Sequence, residues 1–156
     1  DSLYLHLVEE SKDADGKKQS YKKLNLLNNI LHNKKVLIVD DDVRNIYSLT
    51  KALEAFKMNV ITAFDGNEAI KMLDEHPDTD IVLLDMMMPN MDGYETAEKI
   101  RTKPKMLTLP LIAVTAKAMT GDREKCIKAG ASDYITKPVD IDQLLSLLRV
   151  WLYDKV

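Results

Sequence analysis

The chain has 156 residues, of which 46% are hydrophobic and 30% charged, and a formal net charge of −3. That balance suits one soluble globular domain with a short appendage, and it lacks the basic footprint expected of a nucleic-acid or anionic-membrane binder. A lone Cys126 excludes an internal disulfide or a cysteine-rich zinc site, and apolar runs of only four or five residues are too short to span a bilayer.

Residues 1–33 differ from the remainder. "SLYLHLVEES" places Leu3, Leu7 and Val8 at helical spacing, and "SKDADGKKQS" is a polar break. Tyr21, Leu24, Leu27 and Leu31, with Ile30 beside them, then form a second helical stripe. This segment is expected to be a helical linker or the tail of a preceding module, with the main domain over 34–156. No signal peptide is visible and the chain begins at Asp1 rather than Met, so the expectation is a piece of a longer protein.

From Lys34 the pattern becomes regular. Strand-like runs "KVLIV", "NVITAF", "DIVLLD", "LPLIAVTA" and "DYITK" alternate with helical patterns over 44–56, 66–75, 94–101, 122–129 and 140–153. Gly130 stands where a residue closing the fourth helix is expected, and Asp140 where an N-cap opens the fifth. Five strands alternating with five helices predict an α/β, doubly wound, five-stranded parallel sheet. Ligands of such sheets gather at the carboxyl ends of the strands, near the topological switch point.

Those strand ends are polar. The first ends in Asp40-Asp41-Asp42, the third in Asp85, the fourth in Thr115 and the fifth in Lys137. Carboxylates about 4 Å apart repel by a few kcal/mol per pair even with surface-like screening, unless a positive charge sits between them. Asp42 alone could be an N-cap with its neighbours solvated. Aspartates converging from two strands instead suit a hard cation such as Mg²⁺. Lys137 and Thr115 add an ammonium and a hydroxyl, completing a set suited to phosphoryl transfer.

"VLIVDDD", "IVLLDMMMPNMDGYE", "PLIAVTAKA" and "AGASDYITKPVD" closely resemble the receiver domain of two-component response regulators, over roughly residues 34–153. Asp41, Asp85, Thr115 and Lys137 follow one another at intervals of 44, 30 and 22 residues, which suits that family. The resemblance implies a flavodoxin-like strand order 2-1-3-4-5 and a phosphoacceptor Asp85 loaded from a phosphohistidine. It implies Mg²⁺ held by Asp40, Asp41, Asp85 and the backbone carbonyl of Met87, with Asp41 the more direct ligand of the acidic pair. Lys137 would pair with the phosphoryl oxygens, Thr115 would bond to the phosphate once formed, and Tyr134 matches the aromatic switch position.

The segments "DDDVRNIYSLTKALE" and "TAKAMTGDREKCIKAGASDYITKPVD" resemble more narrowly the C-terminal receiver of a hybrid sensor histidine kinase. That implies a domain that is not an enzyme by itself, although it promotes its own phosphorylation and dephosphorylation, within a parent that is a histidine kinase. Its partner would be a histidine kinase or a histidine phosphotransfer domain, with no nucleic acid and no direct membrane contact by this fragment. A cytoplasmic location is expected, which leaves a membrane-anchored parent open. With Val156 just past the fifth helix, output is expected through a partner.

Other readings of these residues fare less well. A haloacid-dehalogenase-type phosphatase needs a second carboxylate two residues after the nucleophile, where Met87 stands. A flavodoxin-like cofactor binder needs a phosphate cradle after the first strand, and three aspartates there would repel one. A degenerate receiver acting only as an interaction module would have lost site residues that this chain keeps. Met86, Met87 and Met88 read as packing or rim residues rather than a soft-metal site. His6, His32 and His76 read as solvated, Cys126 and Trp151 as packed, and Asp92-Gly93 as a turn.

Overall fold

Two faces of one sheet divide the apolar residues between them. The computed structural model describes residues 29–89, 91–116 and 120–153. The expected helical stripes at Leu3–Val8 and Tyr21–Leu27 lie outside them. Strands β1 (Lys35–Val39), β2 (Asn59–Ala63), β3 (Ile81–Asp85), β4 (Leu111–Thr115) and β5 (Asp133–Thr136) alternate with helices. The helices are α1 (Val43–Glu54), α2 (Gly66–Glu75), α3 (Gly93–Arg101), α4 (Thr120–Ala129) and α5 (Ile141–Leu152), and a 3₁₀ turn (Pro104–Met106) follows α3. The strands are all parallel, in the order β2-β1-β3-β4-β5. The doubly wound α/β sheet expected from the sequence is thus the observed fold, with the 3₁₀ turn added to its five helices.

Alternation along each strand explains the continuous apolar runs. Val36, Ile38, Ile81, Leu83, Ile112 and Val114 point into a core closed by α1 and α5. Leu37, Val39, Val82, Leu84, Leu111 and Ala113 point into a second core on the opposite face, which includes Ala69 and Leu73 of α2, Ala97 and Ile100 of α3, and Cys126 of α4. Both sides of a central strand are therefore dry, so polar alternation is absent there. The chain enters β1 through the end of a helix, whose Ile30 and Leu31 are fully buried with Leu53, Met58 and Leu152.

Helix ends are fixed by side chains that the sequence places there. Asp42, Asp65, Asp92 and Asp140 cap α1, α2, α3 and α5, each accepting a backbone N–H of the first turn at 2.8–3.1 Å. Gly130 ends α4 with φ of +122°, a conformation that a side chain rarely adopts. Its carbonyl accepts from Arg101 Nε (2.9 Å), and Arg101 Nη1 reaches the Met106 carbonyl at 2.6 Å, tying α3 to the start of β5.

The winding reverses between β1 and β3, since β2 lies outside β1 while β4 and β5 lie beyond β3. Their adjacent carboxyl ends form the topological switch point.

Candidate functional site

Register places the first two carboxylates side by side. Val39 is opposite Leu84 in the β1–β3 pair, so one further step sets Asp40 beside Asp85. Both continue the face of their strands that bears Ile38 and Leu83. They are only 4% and 2% exposed, a costly burial for two like charges. Asp41, one residue on, is exposed. Carboxylate oxygens of Asp40, Asp41 and Asp85 all lie within 4.8 Å of one another.

Among the described residues, the Lys137 ammonium offsets this charge. Lys137 Nζ lies 3.3 Å from Asp85 Oδ2 and 3.8 Å from Asp40 Oδ2. Its place is set by the backbone, where the Lys137 N–H donates to the Thr115 carbonyl at 2.8 Å. Asp40 also accepts from the Asp42 N–H (2.8 Å) and from Asn45 Nδ2 (3.4 Å), while Asp85 Oδ1 accepts from the Met87 N–H (3.0 Å). Burial is the main cause that pushes the Asp40 carboxyl above its ordinary range, and the Asp85 charge pushes the same way. The Asp42 N–H, Lys137 and Asn45 oppose that shift without cancelling it. Among the described residues, three carboxylates face one ammonium, which leaves excess negative charge with hard oxygen donors and fits a divalent cation of the Mg²⁺ type.

Asp42 belongs to a different chemistry. It caps α1 and pairs with Arg44 (Nη2, 3.2 Å), and the Arg44 hydrogen bonds hold its carboxyl below the usual range. The aspartate run is therefore split, with Asp40 and Asp41 facing Asp85 and Asp42 opening a helix.

Thr115 ends β4 with 1% exposure, on the side of the sheet shared with Ala113. Tyr134 is the register partner of Ala113 and packs, half-buried, against the same core. Met86 and Met88 are buried, whereas Met87 is 53% exposed at the rim. Beside the carboxylates a cavity of about 620 Å³ runs between α1 and the loop after β5, lined by Asp40, Ser48, Leu49, Lys137 and Pro138.

Two supporting residues were not singled out from the sequence for these roles. Asn45, the donor to Asp40, looks like any polar residue in the first turn of a helix. Gly93 was read only as a turn residue. A Cβ built on Gly93 would stand 2.5 Å from both the Asp85 carbonyl oxygen and Met86 Cα, so only glycine lets the loop pass so close to the strand end.

The family model for the response regulator receiver domain matches residues 36–149. Among curated proteins, the signal transduction histidine-protein kinase BarA of Escherichia coli K12 is 38% identical over 113 residues, which are 72% of this chain and 12% of that protein. The response regulator PleD of Caulobacter vibrioides is 38% identical over 115 residues, 74% of this chain and 25% of PleD. The chain thus spans a quarter or less of the length of these relatives. Among solved structures, the receiver domain of the sensor histidine kinase PA1611 from Pseudomonas aeruginosa PAO1 superposes with a TM-score of 0.72 at 31% identity, covering 78% of this chain and 98% of that one. That receiver carries a magnesium ion coordinated in its active-site cleft. The chemotaxis protein CheY4 of Vibrio cholerae superposes with a TM-score of 0.72 at 26% identity, covering 76% of this chain and 98% of CheY4.

Proposed function

Since the chain belongs to the response regulator receiver domains of two-component signalling, we propose that it takes a phosphoryl group from a phosphohistidine onto Asp85. The observation that carries this reading is the buried Asp85 carboxylate at the end of β3, 3.3 Å from Lys137 Nζ and beside Asp40. The receiver unit is residues 34–156, with Ile30 and Leu31 packed into its core, and residues 1–33 lead into it from an upstream module.

In the transfer an Asp85 carboxylate oxygen attacks phosphorus. The P–O bond of an acyl phosphate forms, the P–N bond to the donor imidazole breaks, and the imidazole leaves with its electron pair and takes up a proton. Alignment and charge neutralisation supply the acceleration, because the transferring group needs little covalent help. Lys137 pairs with the phosphoryl oxygens. Asp40, Asp41, Asp85 and the Met87 carbonyl hold Mg²⁺, a fit supported by the clustered oxygens and by the magnesium in the PA1611 receiver. When bound, Mg²⁺ supplies positive charge against the phosphoryl oxygens and the acidic cluster. The donor is a histidine kinase or a histidine phosphotransfer domain.

The phosphorylated aspartyl carries about −1.5 to −2 charge where −1 stood. The Thr115 hydroxyl turns toward that charge, and Tyr134 follows into the space beside Ala113. The outcome is a population shift at the surface of α4, β5 and α5, read by a partner.

Acetyl phosphate with Mg²⁺ tests the assignment by intact mass. The parent chain gains one phosphoryl group and Asp85→Asn gains none. Undiminished labelling of Asp85→Asn would place the acceptor elsewhere.

A further inference from the structure

Helix α4 is attached to the sheet by a different means from its neighbours. Among its described side chains only Cys126 and Ala129 are buried, and both are small, so little apolar area holds it down. Each flank instead sets a cation over an aromatic ring. Lys125 Nζ lies 4.4 Å from the centre of the Tyr94 ring of α3, and Arg123 Cζ lies 5.8 Å from the centre of the Tyr134 ring of β5.

The two contacts have different surroundings. The Tyr94 hydroxyl reaches Cys126 Sγ at 3.9 Å, which fixes that ring against the middle of α4. The half-buried Tyr134 has Ala113 as its register partner, and Thr115 stands two residues further along β4 on the same face. Ala113 contributes only a methyl group there, so no large β4 side chain bars the ring from moving toward Thr115. A ring making that turn leaves the guanidinium of Arg123.

We infer that Arg123 is a positioning residue for the switch, its guanidinium holding the Tyr134 ring on the α4 side and so setting the resting balance between the two orientations. The inference rests on the reading of Asp85 and Tyr134 given above. Lys125 sits over the Tyr94 ring at the other flank of α4, which makes it the internal control. Arg123 is exposed, so replacing it removes the contact and leaves the cores intact.

NMR of the full chain tests this, using the Tyr134 ring signals and the amides of Ile135 and Thr136. Beryllofluoride with Mg²⁺ serves as the probe for a phosphorylated Asp85, and the parent with and without it defines the two ends of the scale. Without the probe, Arg123→Gln moves these signals toward the beryllofluoride end, and half-saturation falls about two- to five-fold, the worth of an exposed cation–π contact. Arg123→Lys stays near the parent, because a cation can still sit over the ring, and Lys125→Gln leaves the Tyr134 signals in place. Arg123→Gln signals and half-saturation equal to the parent's would overturn the inference, as would Arg123→Lys moving as far as Arg123→Gln. Parent Tyr134 signals that ignore beryllofluoride would instead remove the switch reading itself, and the positioning role with it.

Discussion

The two ends of the sheet treat charge in opposite ways. At the carboxyl ends of β1 and β3, Asp40, Asp41 and Asp85 crowd within 4.8 Å, and the Lys137 ammonium, the one beside them among the described residues, approaches no closer than 3.3 Å to either buried carboxylate. At the amino end of β1, Lys35 Nζ is hydrogen-bonded to both oxygens of Asp78 at 3.0 and 2.8 Å, and the Lys35 N–H donates to Asp80 at 2.8 Å. Below the sheet these pairs lie beside an apolar entry segment, in which Ile30 and Leu31 are fully buried. Above it lies the carboxylate cluster proposed to hold Mg²⁺. On the proposed reading one end of the fold serves stability and the other binds a ligand, so substitutions at the two ends should change different quantities.

The largest expected effect lies at the amino end. Leu31→Ala removes a fully buried side chain from the core closed by α1 and α5, and should cost about 2–5 kcal/mol of unfolding free energy. Urea unfolding measures it. In the cold, where the variant remains folded, acetyl phosphate labelling of Asp85 should be unchanged. A cost near zero would mean that the entry segment is an ornament rather than part of the core. Lost labelling in the folded variant would break the division between the two ends.

An effect of intermediate size belongs to the carboxyl end. If, as proposed, the folded site binds Mg²⁺ and the unfolded chain does not, the ion at about ten times its dissociation constant should stabilise the parent by about 1.4 kcal/mol. Asp41 is the exposed member of the cluster, so Asp41→Ala removes a ligand and leaves the cores untouched. Thermal unfolding with and without Mg²⁺ should show the increment in the parent and not in the variant. An equal increment in both would mean that the acidic pair is only a charged loop.

How much of this was legible in the sequence depended on whether neighbours along the chain or neighbours in space set the feature. "KVLIV" marks β1 because both faces of a central strand are dry, and the run of apolar residues has no other simple explanation. Gly130 and Asp140 were readable as helix ends because capping is local chemistry. Helix α4 starts at Thr120 rather than at Asp122, where its pattern was expected to begin, since it has no apolar stripe to announce it. Asp40 and Asp85 could be placed together because strand ends converge at a switch point in any doubly wound sheet. Asn45 beneath Asp40 and Gly93 against the Asp85 carbonyl depend on contacts across loops, and their residue types give no such signal in one dimension. The three consecutive aspartates were the hardest stretch to divide. The residues alone offered Asp42 as a cap, the resemblance named Asp40 and Asp41 as the acidic pair, and the geometry agrees with both.

The smallest expected effect is a pH dependence that has opposite sign at the two ends. The Asp40 carboxyl is raised above its ordinary 3.8, first by burial and then, among the charges, by Asp85. As pH rises past 3.8 the unfolded chain releases this proton while the folded chain keeps it. Asp40 therefore lowers stability progressively until the pH exceeds its folded value, after which the loss is constant. The Asp78 carboxyl is lowered by its hydrogen bond to Lys35, so its contribution is present above 3.8 and is lost as the pH falls through its folded value. Asp40→Asn cannot ionise; its one oxygen can still accept from the Asp42 N–H, while its amide nitrogen replaces the oxygen that accepts from Asn45 Nδ2. In EDTA the variant should gain on the parent as pH rises from 3.8 and remain ahead at neutral pH by on the order of 1 kcal/mol, part of the repulsion it relieves. Saturating Mg²⁺ should narrow or reverse that lead, since the parent regains through the ion what its carboxylates lose to each other. Urea midpoints across this pH range, with and without the metal, measure both effects. A variant less stable than the parent at pH 7 in EDTA would show that the Lys137 pairing and the acceptor lost to Asn45 outweigh the repulsion among the carboxylates, and the contrast between the two ends would fail.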